Sequence, residues 1–119
     1  MVEVDEDSSA TNAPVIGIDL GTTHSSVAVF NRESDNGEIL RLKNGKTCMP
    51  SVIAYGELGD KIAVGEAAYG KTNFICDAKR FIAMSYDDFK EDKRTMYSLP
   101  YYVVKGDEGR AVIDLLDRL

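Results

Sequence analysis

The sequence predicts a mixed α+β domain led by an antiparallel sheet. Three observations carry that prediction: a short β-branched run over residues 15–20, a second run over 25–30 after a four-residue turn, and an Asn-Gly pair at 44–45 closing a third alternating stretch. Short turns between successive strands permit only antiparallel neighbours, because a parallel return needs a crossover of a dozen residues or more.

Each element follows from local chemistry. Val15 to Leu20 is nearly continuous in apolar residues, broken only by Gly17 and Asp19, and is too short for a helix. Gly21-Thr22-Thr23-His24 is the turn, and Ser25 to Phe30 returns as a strand with Val27 and Val29 on one face. Residues 31–37 are polar and read as a loop. Residues 38–42 alternate as a third strand and close on Asn44-Gly45. After Pro50-Ser51 comes a strand over residues 52–55, a turn over 56–60 and a short strand over 62–64. Residues 65–69 read as a short helical piece ended by Gly70, and 74–82 as a loop leading into a helix. The charge run at 87–94 suits a solvated helix or loop. Residues 101–104 form a strand before the turn 106–109. The end is ambiguous: Val112, Leu115, Leu116 and Leu119 have helical spacing, yet Ala111-Val112-Ile113 also suits a hairpin arm. A strand from Ala111 is the reading adopted. The stop on apolar Leu119 reads as a cut rather than a natural end.

Composition narrows the function. The chain has 119 residues, 44% hydrophobic and 29% charged, which suits one globular domain with a modest core. No apolar run approaches the roughly 18 residues a membrane span needs. The net charge of −6 argues against a broad grip on nucleic acid or an anionic membrane, so neither is expected as a partner. Cys48 and Cys76 form no C-x-x-C pair and stand with one histidine, too few ligands for zinc. Both are expected to be reduced and buried, which fits a reducing compartment. Residues 1–13 are acidic, small and aperiodic, and are expected to be a disordered tail. They carry neither an Arg-rich amphipathic pattern nor an apolar signal core, so a cytoplasmic location is expected. Residues 14–119 are expected to form the single domain.

The stretch GIDLGTTHS (residues 17–25) carries chemistry. A hairpin tip exposes N–H groups that no ladder partner uses. Gly21 lets a phosphate approach the backbone, and Thr22 and Thr23 add hydroxyl donors. Asp19 meets a phosphate favourably only through a cation such as Mg²⁺, which takes oxygen ligands and keeps several waters. A plain hairpin turn explains the same residues equally well. The stretch is neither a Walker loop nor a dinucleotide fingerprint.

VIGIDLGTTHSSVAVF (15–30) resembles the first phosphate motif of the DnaK-type heat-shock chaperone ATPases, and sugar kinases carry a similar D-x-G-T-T-S. MPSVIAY (49–55), VGEAA (64–68), TNFICDAKRFIA (72–83) and SLPYYVVKGDEG (98–109) resemble further segments of the chaperone family, with D-A-K-R the most specific. The resemblance runs from about Val15 to Gly109. It implies an incomplete ribonuclease-H-like, actin-like ATPase lobe with a small α+β insert from about Pro50. By the same resemblance Asp19 would hold the Mg²⁺ shell through water. Gly21, Thr22, Thr23 and the backbone of His24 would line the β- and γ-phosphates of ATP or ADP. Lys79 would sit beside the γ-phosphate as the catalytic residue, with Asp77 and Arg80 holding its segment in place. Without the family, Lys79 reads as a solvated lysine.

The family further implies an ATP-dependent chaperone with unfolded polypeptides, a J-domain co-chaperone and a nucleotide-exchange factor as partners. Four positions depart from its pattern. His24 stands for Tyr or Asn, Cys48-Met49 for two threonines, and Ala83 for Gly. The family's second phosphate loop, of D-x-G-G-G-T type, is not in the sequence. The chain by itself is therefore expected to bind ATP weakly or not at all and not to turn it over usefully. The alternatives are a non-enzymatic interaction module from a degenerate chaperone and a sugar-kinase-like phosphotransferase.

Overall fold

The computed structural model describes residues 14–56 and 62–115. The expected tail over 1–13, most of the expected turn over 56–60 and the chain end over 116–119 lie outside the described residues.

The first three strands form the expected meander. β1 (Val15–Leu20) pairs antiparallel with β2 (His24–Asn31), Leu20 opposite Ser25 and Asp19 opposite Ser26. β3 (Asn36–Ile39) pairs with the far half of β2, Ala28 opposite Ile39. It begins two residues before the sequence suggests, because Asn31 accepts the backbone N–H groups of Glu33 and Ser34 and tightens the turn. β4 (Met49–Pro50) then pairs with the near end of β2, His24 opposite Pro50. β1 is an edge strand. Its run suits a strand covered on both faces. The described residues cover neither, and Ile18 and Leu20 stand 71% and 62% exposed.

The second unit is small. β5 (Ile53–Ala54) lies between β6 (Ala63–Val64) and β7 (Phe74–Ile75), both antiparallel to it. A 3-10 turn, Gly65–Ala68, follows β6. Val52, Ala54 and Ala68 are buried at its centre, with Ala63, Phe74 and Cys76 packed against them. β7 departs from the loop and helix expected over 74–82, because a two-residue strand has no periodicity to read.

The third unit holds α1 (Tyr86–Glu91), α2 (Lys93–Ser98), β8 (Tyr102–Lys105) and β9 (Ala111–Asp114), the last two an antiparallel hairpin. Ser85 caps α1 by accepting from Asp88 N–H, and Asp92 caps α2 by accepting from Thr95 N–H. Those two caps split the charge run into two short helices. The Thr95 side chain and backbone hold the Asp92 carboxyl below its ordinary range. Phe89 is fully buried and meets Phe81 edge-on at 5.3 Å; Phe81 also faces Tyr101 at 6.3 Å. The strand from Ala111 is borne out, since its residues pair with β8 from Lys105 opposite Ala111.

Cys76 is half-buried, but Cys48 is exposed, against expectation. It lies in the open 41–48 connection, which the polar Asn44, Lys46 and Thr47 keep at the surface. No helix among the described residues is long and apolar enough to cross a membrane.

Ala83 adopts φ +66°, the left-handed region. A Cβ there costs roughly 1–2 kcal/mol, part of which glycine gives back through its greater freedom when unfolded. Ala83→Gly is expected to stabilise the protein by about 0.5–1 kcal/mol. The check is a urea midpoint raised at unchanged slope.

Candidate functional site

The hairpin tip is tied down on three sides. The Gly21 N–H donates to the His24 carbonyl at 3.0 Å, closing the tip on itself. A Cβ on Gly21 would lie 2.3 Å from that carbonyl oxygen, closer than any real Cβ contact. Gly21 is therefore required by the approach of the two arms, a reason that needs no phosphate. On the second side, the Thr23 carbonyl accepts from Ser51 N–H at 2.8 Å, and the hydroxyls of buried Ser25 and half-buried Ser51 meet at 2.7 Å. The segment after β4 thus holds the tip from its flank. Nothing local in the sequence signals this pair, whose members stand 26 residues apart.

The third side is the D-A-K-R segment. Lys79 Nζ donates to the carbonyl of Leu20, the last residue of β1, across 59 positions of sequence. This hydrogen bond brings a primary amine to the residue between Asp19 and Gly21. Lys79 is itself exposed. Its turn, the 3-10 stretch Ala78–Arg80, is braced at both ends. Ahead of it the Tyr101 phenol donates to the Cys76 carbonyl, and behind it Phe81 is buried among aromatic rings. Burial pushes both the Tyr101 phenol and the Cys76 thiol above their ordinary ranges, so both stay protonated behind the turn. Asp77 and Arg80 pair at 3.2 Å, consistent with the holding role expected for them.

The remaining residues are placed as follows. Asp19 is exposed on β1 beside the tip, Thr22 is half-buried, and Thr23 and His24 are exposed. No group of three or more His, Cys, Asp or Glu side chains is arranged to hold a metal among the described residues. One exposed carboxylate fits Mg²⁺, which is commonly held by one or two carboxylates together with waters and substrate phosphates. A clasp the sequence did not reveal joins Lys46 and Asn44 to Glu66, fixing the 41–48 connection to the 3-10 turn below β4. Lys46 lowers the Glu66 carboxyl, and Glu66 raises the Lys46 amine. Both are exposed, so the clasp contributes little to stability.

Taken chemically, the site offers a closed hairpin tip with peptide donors, an exposed carboxylate on β1 and an amine at the end of that strand. Such an arrangement suits a polyphosphate with its divalent cation.

Comparison with known proteins agrees with this chemistry. The family described as Hsp70 protein matches residues 15–117. A heat shock 70 kDa protein, mitochondrial, of Solanum tuberosum is 35% identical over 104 residues. That match covers 84% of this chain and 15% of the relative, so the chain spans a small part of the relative's length.

Proposed function

This chain belongs to the Hsp70 family, and from that premise we propose that it supplies one jaw of a Mg²⁺–ATP clamp in an ATP-dependent molecular chaperone. Residues 14–119 form the N-terminal part of the first lobe of the ATPase domain. The observation that carries the reading is the Lys79–Leu20 hydrogen bond, which brings the D-A-K-R segment, the most specific match, to the end of the first phosphate motif. The closed tip supports phosphate recognition by Gly21, Thr22, Thr23 and the His24 backbone. Asp19 would hold the Mg²⁺ shell.

When bound, Mg²⁺–ATP supplies the phosphoryl group and neutralises charge on it. The chain's own task is positioning. Tip N–H groups orient the β- and γ-phosphates, and the Lys79 amine, leaving the Leu20 carbonyl for a phosphate oxygen, stabilises charge that grows during transfer. The bare apolar faces of β1 support an incomplete lobe, whose opposite jaw would close the site. Coupling of hydrolysis to unfolded polypeptides, with a J-domain co-chaperone and an exchange factor, is proposed for the whole protein on family grounds. The word "mitochondrial" is said of the relative alone. The sugar-kinase alternative loses its ground with the family assignment.

Calorimetric titration of Mg²⁺–ATP into the native-length protein and into the 119-residue chain tests the reading. Binding by the former and silence from the latter are expected. A native-length protein that binds no nucleotide would overturn the clamp and bring the interaction-module reading to the front.

A further inference from the structure

The Lys79 turn is built in an unusual way. Asp77 opens it at φ 55°, ψ 14°, in the left-handed region that non-glycine residues rarely adopt. Asp and Asn tolerate this region better than other side chains do, because a short polar group can bond locally. Here the Asp77 carbonyl accepts from Arg80 N–H at 3.0 Å, while its carboxylate accepts from Arg80 Nε at 3.2 Å. The chain is thereby folded back immediately before Lys79. The Tyr101–Cys76 hydrogen bond fixes the residue ahead of Asp77, and buried Phe81 fixes the residue behind Arg80. With both ends pinned, the backbone angle at Asp77 sets where Lys79 emerges. Its amine emerges at the end of β1.

We propose that Asp77 is a positioning residue for Lys79: its left-handed backbone aims the amine at the hairpin tip. The proposal rests on the clamp reading above. Strained backbone persists only where its surroundings over-determine it, and it clusters at sites whose geometry must be held. A reorientation of the turn would leave the phosphate-binding tip intact but carry the amine away from it. The lesion should therefore fall on the rate of hydrolysis and spare nucleotide affinity.

The test is a series at Asp77 graded by left-handed tolerance: Gly, Asn, Ala and Val, made in the native-length protein. Single-turnover phosphate release and Mg²⁺–ADP affinity are measured for each. Asp77→Gly and Asp77→Asn should stay within about fivefold of the parent rate, the most that loss of an exposed ion pair takes away. Asp77→Ala should be intermediate. Asp77→Val, whose β-branch excludes the left-handed region, should lose about 10- to 100-fold. Affinity for Mg²⁺–ADP should hold throughout. If Asp77→Val fails to bind it, the order is read on the other three. In a Lys79→Ala background, Asp77→Val should cost nothing further, because its effect passes through the absent amine. Rates that ignore the order, or an additive double variant, would overturn the proposal while leaving the clamp standing. Hydrolysis that Lys79→Ala leaves intact would remove the clamp reading, and this proposal with it.

Discussion

Lys79→Ala is expected to slow single-turnover ATP hydrolysis by the native-length protein about 10²- to 10³-fold, with Mg²⁺–ATP affinity within about threefold. The size follows from the work assigned to the amine. In phosphoryl transfer the protein does little covalent chemistry, so the rate depends on fixed charges aimed at oxygens where charge grows. Removing one such donor from a preorganised site typically costs about 3–4 kcal/mol of transition-state stabilisation. The ground state should lose far less, because in the proposed clamp the tip N–H groups would hold the phosphates independently of Lys79. Stability should barely move. Lys79 is exposed, and its one hydrogen bond among the described residues goes to the carbonyl at the hairpin end of β1. Phosphate release after rapid mixing gives the rate, and calorimetry gives the affinity. Equal losses in both would make Lys79 an ordinary binding lysine. No loss in either would detach D-A-K-R from the chemistry altogether.

How much of this was legible in the sequence depends on the distance over which each feature is determined. β1, the turn after it and the hairpin of β8 and β9 are settled by neighbours a few residues away, and their bounds were read closely. β7 was missed. It is two residues long, and its pairing with β5 depends on a strand about twenty residues earlier. Cys48 was misplaced for a related reason. Its side chain looks like core filler, but its burial is decided by a connection that the polar Asn44, Lys46 and Thr47 keep at the surface. In the candidate site, Asp19, Gly21, Thr22 and Thr23 are proposed from local pattern. Lys79 was reached only through family resemblance, since nothing in its composition sets it apart from other exposed lysines. Ser25 with Ser51, and Tyr101 with Cys76, were invisible for the same reason: each is a contact between distant residues of common type. Ala83 runs the other way. Its departure from the family's glycine was plain in the sequence, and the structure supplies the positive φ that explains why a glycine suits the position.

Gly21→Ala carries the second large effect, and it separates two explanations for one residue. The sequence offers closeness to a phosphate as the reason for glycine. The structure offers closeness to the His24 carbonyl, 2.3 Å from where the Cβ would stand. That neighbour is backbone and has no rotamer to swing away. Accommodating a methyl group must open the tip and break the Gly21–His24 hydrogen bond. The strain and the lost bond together should destabilise the protein by about 2–3 kcal/mol. The opened tip should weaken Mg²⁺–ATP binding about tenfold or more, because its N–H groups no longer converge. Gly17→Ala is the internal control. It lies in β1, four residues before Gly21, nothing lies within 4 Å of its Cβ position, and a glycine in mid-strand is itself unfavourable by about 0.5–1 kcal/mol. That control should be neutral or stabilising and should bind nucleotide normally. Urea unfolding and calorimetry on the two variants decide the matter. A Gly21→Ala protein of full stability that has lost only nucleotide binding would assign the glycine to phosphate approach. One that has lost both, beside an unharmed Gly17→Ala, assigns it to the closed tip, and makes the shape of the hairpin a precondition for any phosphate it holds.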